Sequence, residues 1–286
     1  MKTAIVTDSN SGIFPEEGKK LGLFVLPMPV ILDGKEYFEG VDLEHPEFYR
    51  RMQEGADAST SQPAPGDVLS LWESVFAQGF DEILHIPMSS GLSASYQTAL
   101  GLAGEFKGKV RVVDNHRVSV SQYDSVMDAL ALVAQGLTAD QAGMELERTG
   151  LDSVIYLGVD TLKYFKKNGR CTAATAALGT VLNIKPLLKC DGQRFDAVAK
   201  VRGVANCRAK LLEAAAEAAD DLRRDGPISI GAAGSFSDPA EEKAWLAEVQ
   251  AAFPGDEVHF EPLSFSVTCH TGPGAFGVGV SRRLAR

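Results

Sequence analysis

Cysteine is scarce. The 286-residue chain has four, Cys171, Cys190, Cys207 and Cys269. None stands in a C-x-x-C pair, so the spacing fits neither a zinc site nor a disulfide framework. Thiols placed this way suit a reducing compartment, and the expected location is cytoplasmic. Histidine is almost as scarce, with five and no H-E-x-x-H or H-x-H spacing. No metal centre is expected. Long apolar runs are missing as well. No stretch nears the ~20 residues of a membrane span. Met1 to Asp8 holds too few apolar residues for a secretory signal. A lipid would therefore have to be met through a pocket, not an anchor. Positive charge is in deficit, with 28 Lys and Arg against 38 Asp and Glu, a net −10. That balance argues against nucleic acid or an anionic membrane as a bulk partner, and leaves room for a local basic patch.

Several catalytic signatures are also lacking. There is no P-loop, because Lys185-Pro186 has no glycine run before it. Gly272-Pro273-Gly274-Ala275-Phe276-Gly277 spells G-x-G-x-x-G. Only nine residues follow Gly277, and they read as strand, so the helix and the later acid of a dinucleotide site have no place. Gly91-Leu92-Ser93-Ala94-Ser95 falls one glycine short of a nucleophile elbow. No cofactor and no catalytic residue is assigned.

What is present is an ordinary globular composition, 45% hydrophobic and 23% charged, in a length that allows one or two domains. Strands are expected at Lys2–Val6, Ile83–Ile86 and Val110–Val113. Helices are expected at Pro15–Lys20, His45–Gln53 and Asp67–Gly79, with another from about Ser119. Leu92, Tyr96 and Leu100 keep helical spacing after the second strand. Thr138 and Gln141 form a capping-box pair for a helix closed near Gly150. Phe24–Leu32 carries Pro27 and Pro29 and reads as an edge or irregular strand. Ala58 to Gly66 reads as a polar loop stiffened by two prolines. Strand–helix alternation of this kind predicts a doubly wound, mainly parallel sheet over residues 1–152.

The second half, 153–286, reads as a further α/β domain with a mixed sheet. Strands are expected at Val154–Val159, Ile228–Ala232, Glu257–Glu261 and Ala275–Val280. Asp191-Gly192 between Lys185–Lys189 and Phe195–Val201 is a hairpin signal. Asp160 is expected to cap a helix over Thr161–Lys167, and Cys171–Val181 reads as a packed helix. Asn206–Arg224 and Asp238–Phe253 complete the helices. The fold class is therefore two-domain α/β.

Three polar loops stand out within this frame. They are Thr60-Ser61-Gln62-Pro63, Ser89-Ser90-Gly91 and His270-Thr271-Gly272. The second lies between a strand and a helix, where unpaired backbone N–H groups attract anions; helix capping alone is the simpler use of its serines. None of the three offers a carboxylate. Hydroxyls with an imidazole can hold one carboxylate at the mouth of an apolar tunnel. Asp8, after the first strand, is expected to cap the short helix near Pro15 to Lys20 or to hold a neighbouring loop, rather than to act in chemistry.

These residues, taken in order, resemble the DegV family. The likeness rests on Thr7-Asp8-Ser9, Thr60-Ser61-Gln62-Pro63, Ser89-Ser90-Gly91-Leu92-Ser93 with Tyr96-Gln97, Lys167-Asn168-Gly169-Arg170, Lys185-Pro186-Leu187-Leu188 and His270-Thr271-Gly272-Pro273-Gly274. Each motif is weak alone; together they keep the family's order across nearly the whole chain. The resemblance implies a long-chain fatty acid held between two domains. Members include the fatty-acid-binding subunit of bacterial fatty acid kinase, which presents the bound carboxylate to a separate kinase subunit for phosphorylation to an acyl phosphate. Carried over by motif, Thr60, Ser61, Ser90 and Ser93 would bind the carboxylate, with His270, Thr271 and Gly272 beside them. Arg170 and Arg202 would lie on the face the kinase meets. The chain itself would be a binding protein, not an enzyme. It departs from the family pattern at Cys171-Thr172, where Ile-Ser is common, at Ala94-Ser95, where Gly-Thr is common, and at Ser119 to Tyr123, where a glycine-bearing run is usual. Bulk at the last position would reshape an acyl tunnel. Two other readings remain on the residues alone: a serine-dependent hydrolase or transferase using Ser93 with His270, and a regulatory binder of another anionic lipid or metabolite.

Overall fold

The computed structural model describes residues 1–177 and 183–284. The chain opens with β1 (Thr3–Asp8), α1 (Pro15–Leu21) and β2 (Phe24–Leu26). Then come β3 (Pro29–Leu32), β4 (Lys35–Phe38), α2 (His45–Gln53), β5 (Ala58–Thr60) and α3 (Pro65–Ala77). The first half continues with β6 (Glu82–Ile86), α4 (Ser95–Ala103), β7 (Val110–Val112), α5 (Val120–Ala134) and α6 (Ala139–Arg148). Four of these strands form a parallel sheet in the order β2-β1-β6-β7. Alternation along each strand feeds two apolar layers. Ile5, Leu84 and Ile86 pack with α5 and α6, while Ala4, Val6 and Ile83 pack with α3 and α4. The Thr138–Gln141 capping box forms as expected.

Two expectations for the first half need correction. Phe24–Leu32 is not one strand. Pro27 interrupts it, so β2 ends the parallel sheet while β3 becomes the middle of a separate antiparallel sheet, β4-β3-β5. The stretch from Ala58 is not all loop either, since β5 pairs Ser59 with Ile31 and Thr60 with Val30. Its short polar sequence hides a strand whose register comes entirely from its partner.

The second half contains β8 (Ser153–Gly158), α7 (Lys163–Asn168), α8 (Ala173–Ala176), β9 (Ile184–Cys190) and β10 (Phe195–Arg202). It ends with α9 (Val204–Arg223), β11 (Ile228–Gly234), α10 (Pro239–Ala252), β12 (Val258–Pro262), α11 (Phe265–Thr271) and β13 (Phe276–Arg282). Its six strands run β10-β9-β8-β13-β11-β12; only β11 and β12 pair in parallel. One face is covered by α9 and α10 through Cys207, Leu211, Ala215, Trp245 and Val249. The other packs Ile155, Leu157 and Ala233 against Met28, Met88, Val118 and Val120 from the first half. Among the described residues the four cysteines are free and buried, and no helix is long and apolar enough to cross a membrane.

Three expectations change here. Asp160 does not cap a helix; it pairs with Lys185 at 2.7 Å, and Thr161 Oγ1 accepts from the Lys163 N–H instead. The helix expected over Cys171–Val181 is limited to α8 within the described residues, and its end at 178–181 lies outside them. The stretch from Thr268 is not a loop up to Thr271: α11 carries it, started by Ser264, whose hydroxyl accepts from the Val267 N–H. Thr268, Cys269 and His270 lack a helical apolar pattern because α11 is buried on most sides.

Candidate functional site

A cavity of about 210 Å³ lies between the two halves. It is larger than the ~150 Å³ apolar cavities that take up benzene-sized guests. Met28, Met88, Leu92, Val118, Phe195 and Val267 supply its apolar wall. Its polar atoms come from Thr60 at the end of β5, Ser61 and Gln62 just after it, Ser93 before α4, Arg170 after α7, and Ser266, His270 and Thr271 on α11. Among the described residues no aspartate or glutamate lines it.

The three polar stretches converge here, but not every expected residue faces the cavity. Thr60, Ser61, Ser93, His270 and Thr271 line it. Ser90 and Gly272 do not. The Ser90 N–H donates to Asp114 Oδ1 at 3.2 Å. The Gly272 carbonyl accepts from Ser235 Oγ at 3.0 Å, and at φ +82° the residue presents its Cα to the Tyr164 ring. Ser89 is fully buried and donates to the Gly192 carbonyl, tying the turn to the β9–β10 hairpin. Gly91 is required at this contact, since a Cβ there would meet Gln193 Cα at 2.6 Å. Ala94 stands at the N-cap position of α4 with no side-chain hydrogen bond, and Ser93 Oγ accepts from the N–H of Ser95, the first residue of the helix, at 3.2 Å. The turn is closed by the Ser93 N–H donating to the Ser89 carbonyl at 3.1 Å.

Buried polar side chains hold these parts in place. Asp8 is 2% exposed and accepts from the Met88 N–H at 2.8 Å, the Asn10 N–H at 3.0 Å and Gln122 Nε2 at 3.2 Å. It fixes the loop that carries Met88, which is the scaffolding role expected of it. Burial, only partly offset by these donors, lifts its pKa to about 6. Asn10 accepts from Ser264 Oγ at 3.0 Å and from Ser266 Oγ, tying the first loop to α11. Glu39, fully buried, accepts from the Phe265 N–H at 2.5 Å and Ser9 Oγ at 2.7 Å, and meets His45 Nε2 at 3.0 Å. Glu39 thereby sets the start of the helix that presents His270. Nothing in the local sequence marks Glu39; His45 is six residues away, but Ser9 and Phe265 are 30 and 226 residues away.

His270 Nε2 lies 3.5 Å from Thr60 Oγ1. Burial, and then the nearby Arg170 charge, push its pKa down to about 4, so the ring is neutral at pH 7. The Arg170 guanidinium donates to the Leu92 carbonyl at 3.2 Å and the Asn168 carbonyl at 2.6 Å. It is therefore part of the cavity wall beside Ser93. Arg202, by contrast, is exposed at the end of β10. The bulky run from Ser119 forms the start of α5. Val118 faces the cavity, and Val120 sits on Gly231 and Gly279, where glycine leaves room for it. Behind Val118, Phe195 and Val267 lies a second apolar cavity of about 20 Å³.

The comparisons agree with this architecture. The model of the DegV family, described as uncharacterised proteins, matches residues 2–283. A DegV domain-containing protein of Deinococcus radiodurans is 34% identical over 281 residues, covering 98% of each chain. A fatty-acid-binding DegV family protein from Thermus thermophilus superposes with a TM-score of 0.87 at 31% identity, covering 99% of this chain and 100% of that one. A stearic acid-binding protein from Eubacterium ventriosum shares the fold, with a TM-score of 0.87 at 24% identity over 98% of both chains. An apolar cavity rimmed by hydroxyls, an imidazole and a guanidinium, set between a parallel and a mixed sheet, thus goes with a match across nearly the whole sequence, and the chain belongs to the DegV family.

Proposed function

We propose that the protein binds a long-chain fatty acid between two domains, residues 1–152 and 153–286, and presents its carboxylate to a separate kinase subunit. The observation that carries the binding reading is the cavity itself, lined by apolar side chains together with neutral donors and one arginine, with no carboxylate among the described residues to repel an anion. The fatty acid bound by the Thermus thermophilus relative supports it. Thr60, Ser61, Ser93, His270 and Thr271 would hold the carboxylate. Ser90 and Gly272 would shape the site from behind. Arg170 adds a counter-charge at the carboxylate, besides the partner contact that the family resemblance gives it. Arg202, exposed on β10, is left to the partner alone. The protein would thus be a carrier, with the phosphoryl chemistry on the kinase. A hydrolase has less support, because among the described residues His270 Nε2 turns to Thr60 and makes no hydrogen bond to Ser93.

Native mass spectrometry of protein purified without added lipid tests the binding reading. A retained fatty acid, identified after extraction, is the expected result. Protein that carries none and takes none up on incubation would overturn it. Each buried methylene contributes about 0.8 kcal/mol, so lipid is expected to survive purification. Arg170→Ala is expected to raise the Kd for palmitate by about 10- to 100-fold, since hydrogen bonds to charged groups contribute about 1.5–3 kcal/mol. An unchanged Kd by fluorescence competition would remove Arg170 from the carboxylate site. Phosphorylation of the bound lipid by a kinase preparation, lost in Arg202→Ala with palmitate affinity intact, would support the carrier role.

A further inference from the structure

Behind the cavity wall, the first three turns of α5 meet a cluster of buried charges from the six-stranded sheet. Val120 of the first turn packs on the bare Cα atoms of Gly231 on β11 and Gly279 on β13. The next turn brings Tyr123 and Asp124. The His259 ring, from β12, stacks on Tyr123 with centroids 4.8 Å apart and planes at 24°. Its Nε2 lies 3.4 Å from Asp124 Oδ1 and its Nδ1 3.3 Å from Glu261 Oε1. One turn further on, Asp128 accepts from Arg283 Nε at 3.0 Å and from the Leu284 N–H at 3.2 Å. Arg283 also reaches Asp124 at 3.6 Å. Asp124 is 1% exposed, Asp128 2% and Glu261 7%.

We propose that Asp124, His259 and Glu261 form a protonation-dependent clasp that holds the start of α5 against the six-stranded sheet and so sets how fast a ligand leaves the cavity. The proposal rests on the fatty-acid reading for its ligand and on the charge cluster for its switch. Val118, which lines the cavity, directly precedes the clasped turns. An imidazolium bridging two carboxylates ties α5 to β12; a neutral imidazole leaves two buried carboxylates facing each other across it.

Among the described residues Asp124 faces His259 from α5 and Glu261 from its own strand, while Asp128, one turn beyond, pairs with Arg283. Glu17 acts on Glu261 from α1, and Arg283 and Arg117 act on the α5 carboxylates. Burial disfavours a charged His259, but the nearby Asp124 carboxylate and the hydrogen-bonded Glu261 outweigh it and raise the pKa to about 9. Burial likewise raises Glu261, to about 7. The sign follows from these directions. A His pKa higher in the folded state gives a contribution that is complete below about 6.5 and lost as pH rises through about 9. Glu261 loses its contribution in the same direction, between 4.5 and about 7.

The test is stopped-flow release of parinaric acid, a fluorescent C18 fatty acid, into an excess of albumin between pH 7 and 10. Wild-type protein is expected to release it about tenfold faster at the top of this range, the equivalent of one pKa unit of coupling. His259→Gln is expected to release quickly at every pH. A His259→Gln protein with the wild-type pH profile would overturn the clasp. Should His259→Gln fail to fold, Asp124→Asn replaces it, with the midpoint of the release profile expected to fall. Protein that takes up no parinaric acid overturns the fatty-acid reading instead. The clasp is then read from the His259 ring proton by NMR. A midpoint near 9 that drops toward 6.5 in Asp124→Asn supports it, and a midpoint near 6.5 in both proteins overturns it.

Discussion

Glu39→Ala is expected to destabilise the protein by about 3–5 kcal/mol, the size seen when one partner of a buried charged network is removed. Glu39 is fully buried, and three groups depend on it: the Phe265 N–H, the Ser9 hydroxyl and His45. Alanine would leave the Phe265 N–H and the Ser9 hydroxyl without this acceptor in a place water does not reach, while His45 is partly exposed. The Phe265 N–H belongs to the first turn of α11, so the loss is felt at the other end of that helix, where His270 meets Thr60. Palmitate affinity should therefore fall along with stability, although Glu39 does not line the cavity. Urea unfolding measures the first effect, and a binding titration under native conditions the second. Glu39→Gln keeps an acceptor of the same shape and is expected to lose less on both counts. A Glu39→Ala protein within 1 kcal/mol of wild type, on the same scale, would show that the carboxylate holds nothing in place.

His85→Phe is expected to reduce acid sensitivity. His85 sits in the middle of β6, 2% exposed, with its ring edge-on to Trp72 at 5.5 Å. Neither ring nitrogen has a hydrogen-bond partner among the described residues. Burial drives its pKa down to about 3. The unfolded chain takes up a proton near 6.5 while the folded one does not, so stability is present above 6.5 and lost as pH falls toward 3. At about 1.4 kcal/mol per unit, the loss between pH 6.5 and 4 is on the order of 3 kcal/mol. His270, lowered to about 4, adds in the same direction, while Asp8, raised to about 6, works against it. Phenylalanine removes only the His85 part. Urea unfolding at pH 6.5 and at pH 4 should show a smaller difference in His85→Phe than in wild type. Equal differences would mean that His85 is protonated in the fold or hydrated there.

The order of the elements was legible because it rests on local signals. Short apolar strands such as β1 and β6, each followed by a helix, marked the parallel sheet. Asp191-Gly192 marked the β9–β10 hairpin, and Thr138 with Gln141 marked the start of α6. Asp8 was legible too, since a short acid after a strand has few uses other than holding a loop. The four polar residue types of the cavity rim, hydroxyl, amide, imidazole and guanidinium, were also visible as motifs. Where local signals were thin, the reading failed. Ala58 to Thr60 has no strand pattern, and only pairing with β3 makes it one. Residues from Phe265 to Thr271 carry no helical stripe, because a helix buried on most sides needs none.

Which rim residues face inward was decided by long-range contacts alone. Ser89 and Ser93 lie in one short serine-rich stretch, yet one is taken by the Gly192 carbonyl and the other lines the cavity. Arg170 reads as a surface arginine after a basic helix, and the Leu92 carbonyl draws it into the wall. Glu39 and the His259 cluster have no motif at all; each joins groups scattered along the chain. By itself the sequence determined the elements and the chemistry available to them, because propensity, capping and alternation act over a few residues. The tertiary structure decided which of those groups are enclosed together, because burial and charge pairing depend on neighbours that the sequence places up to about 250 residues apart.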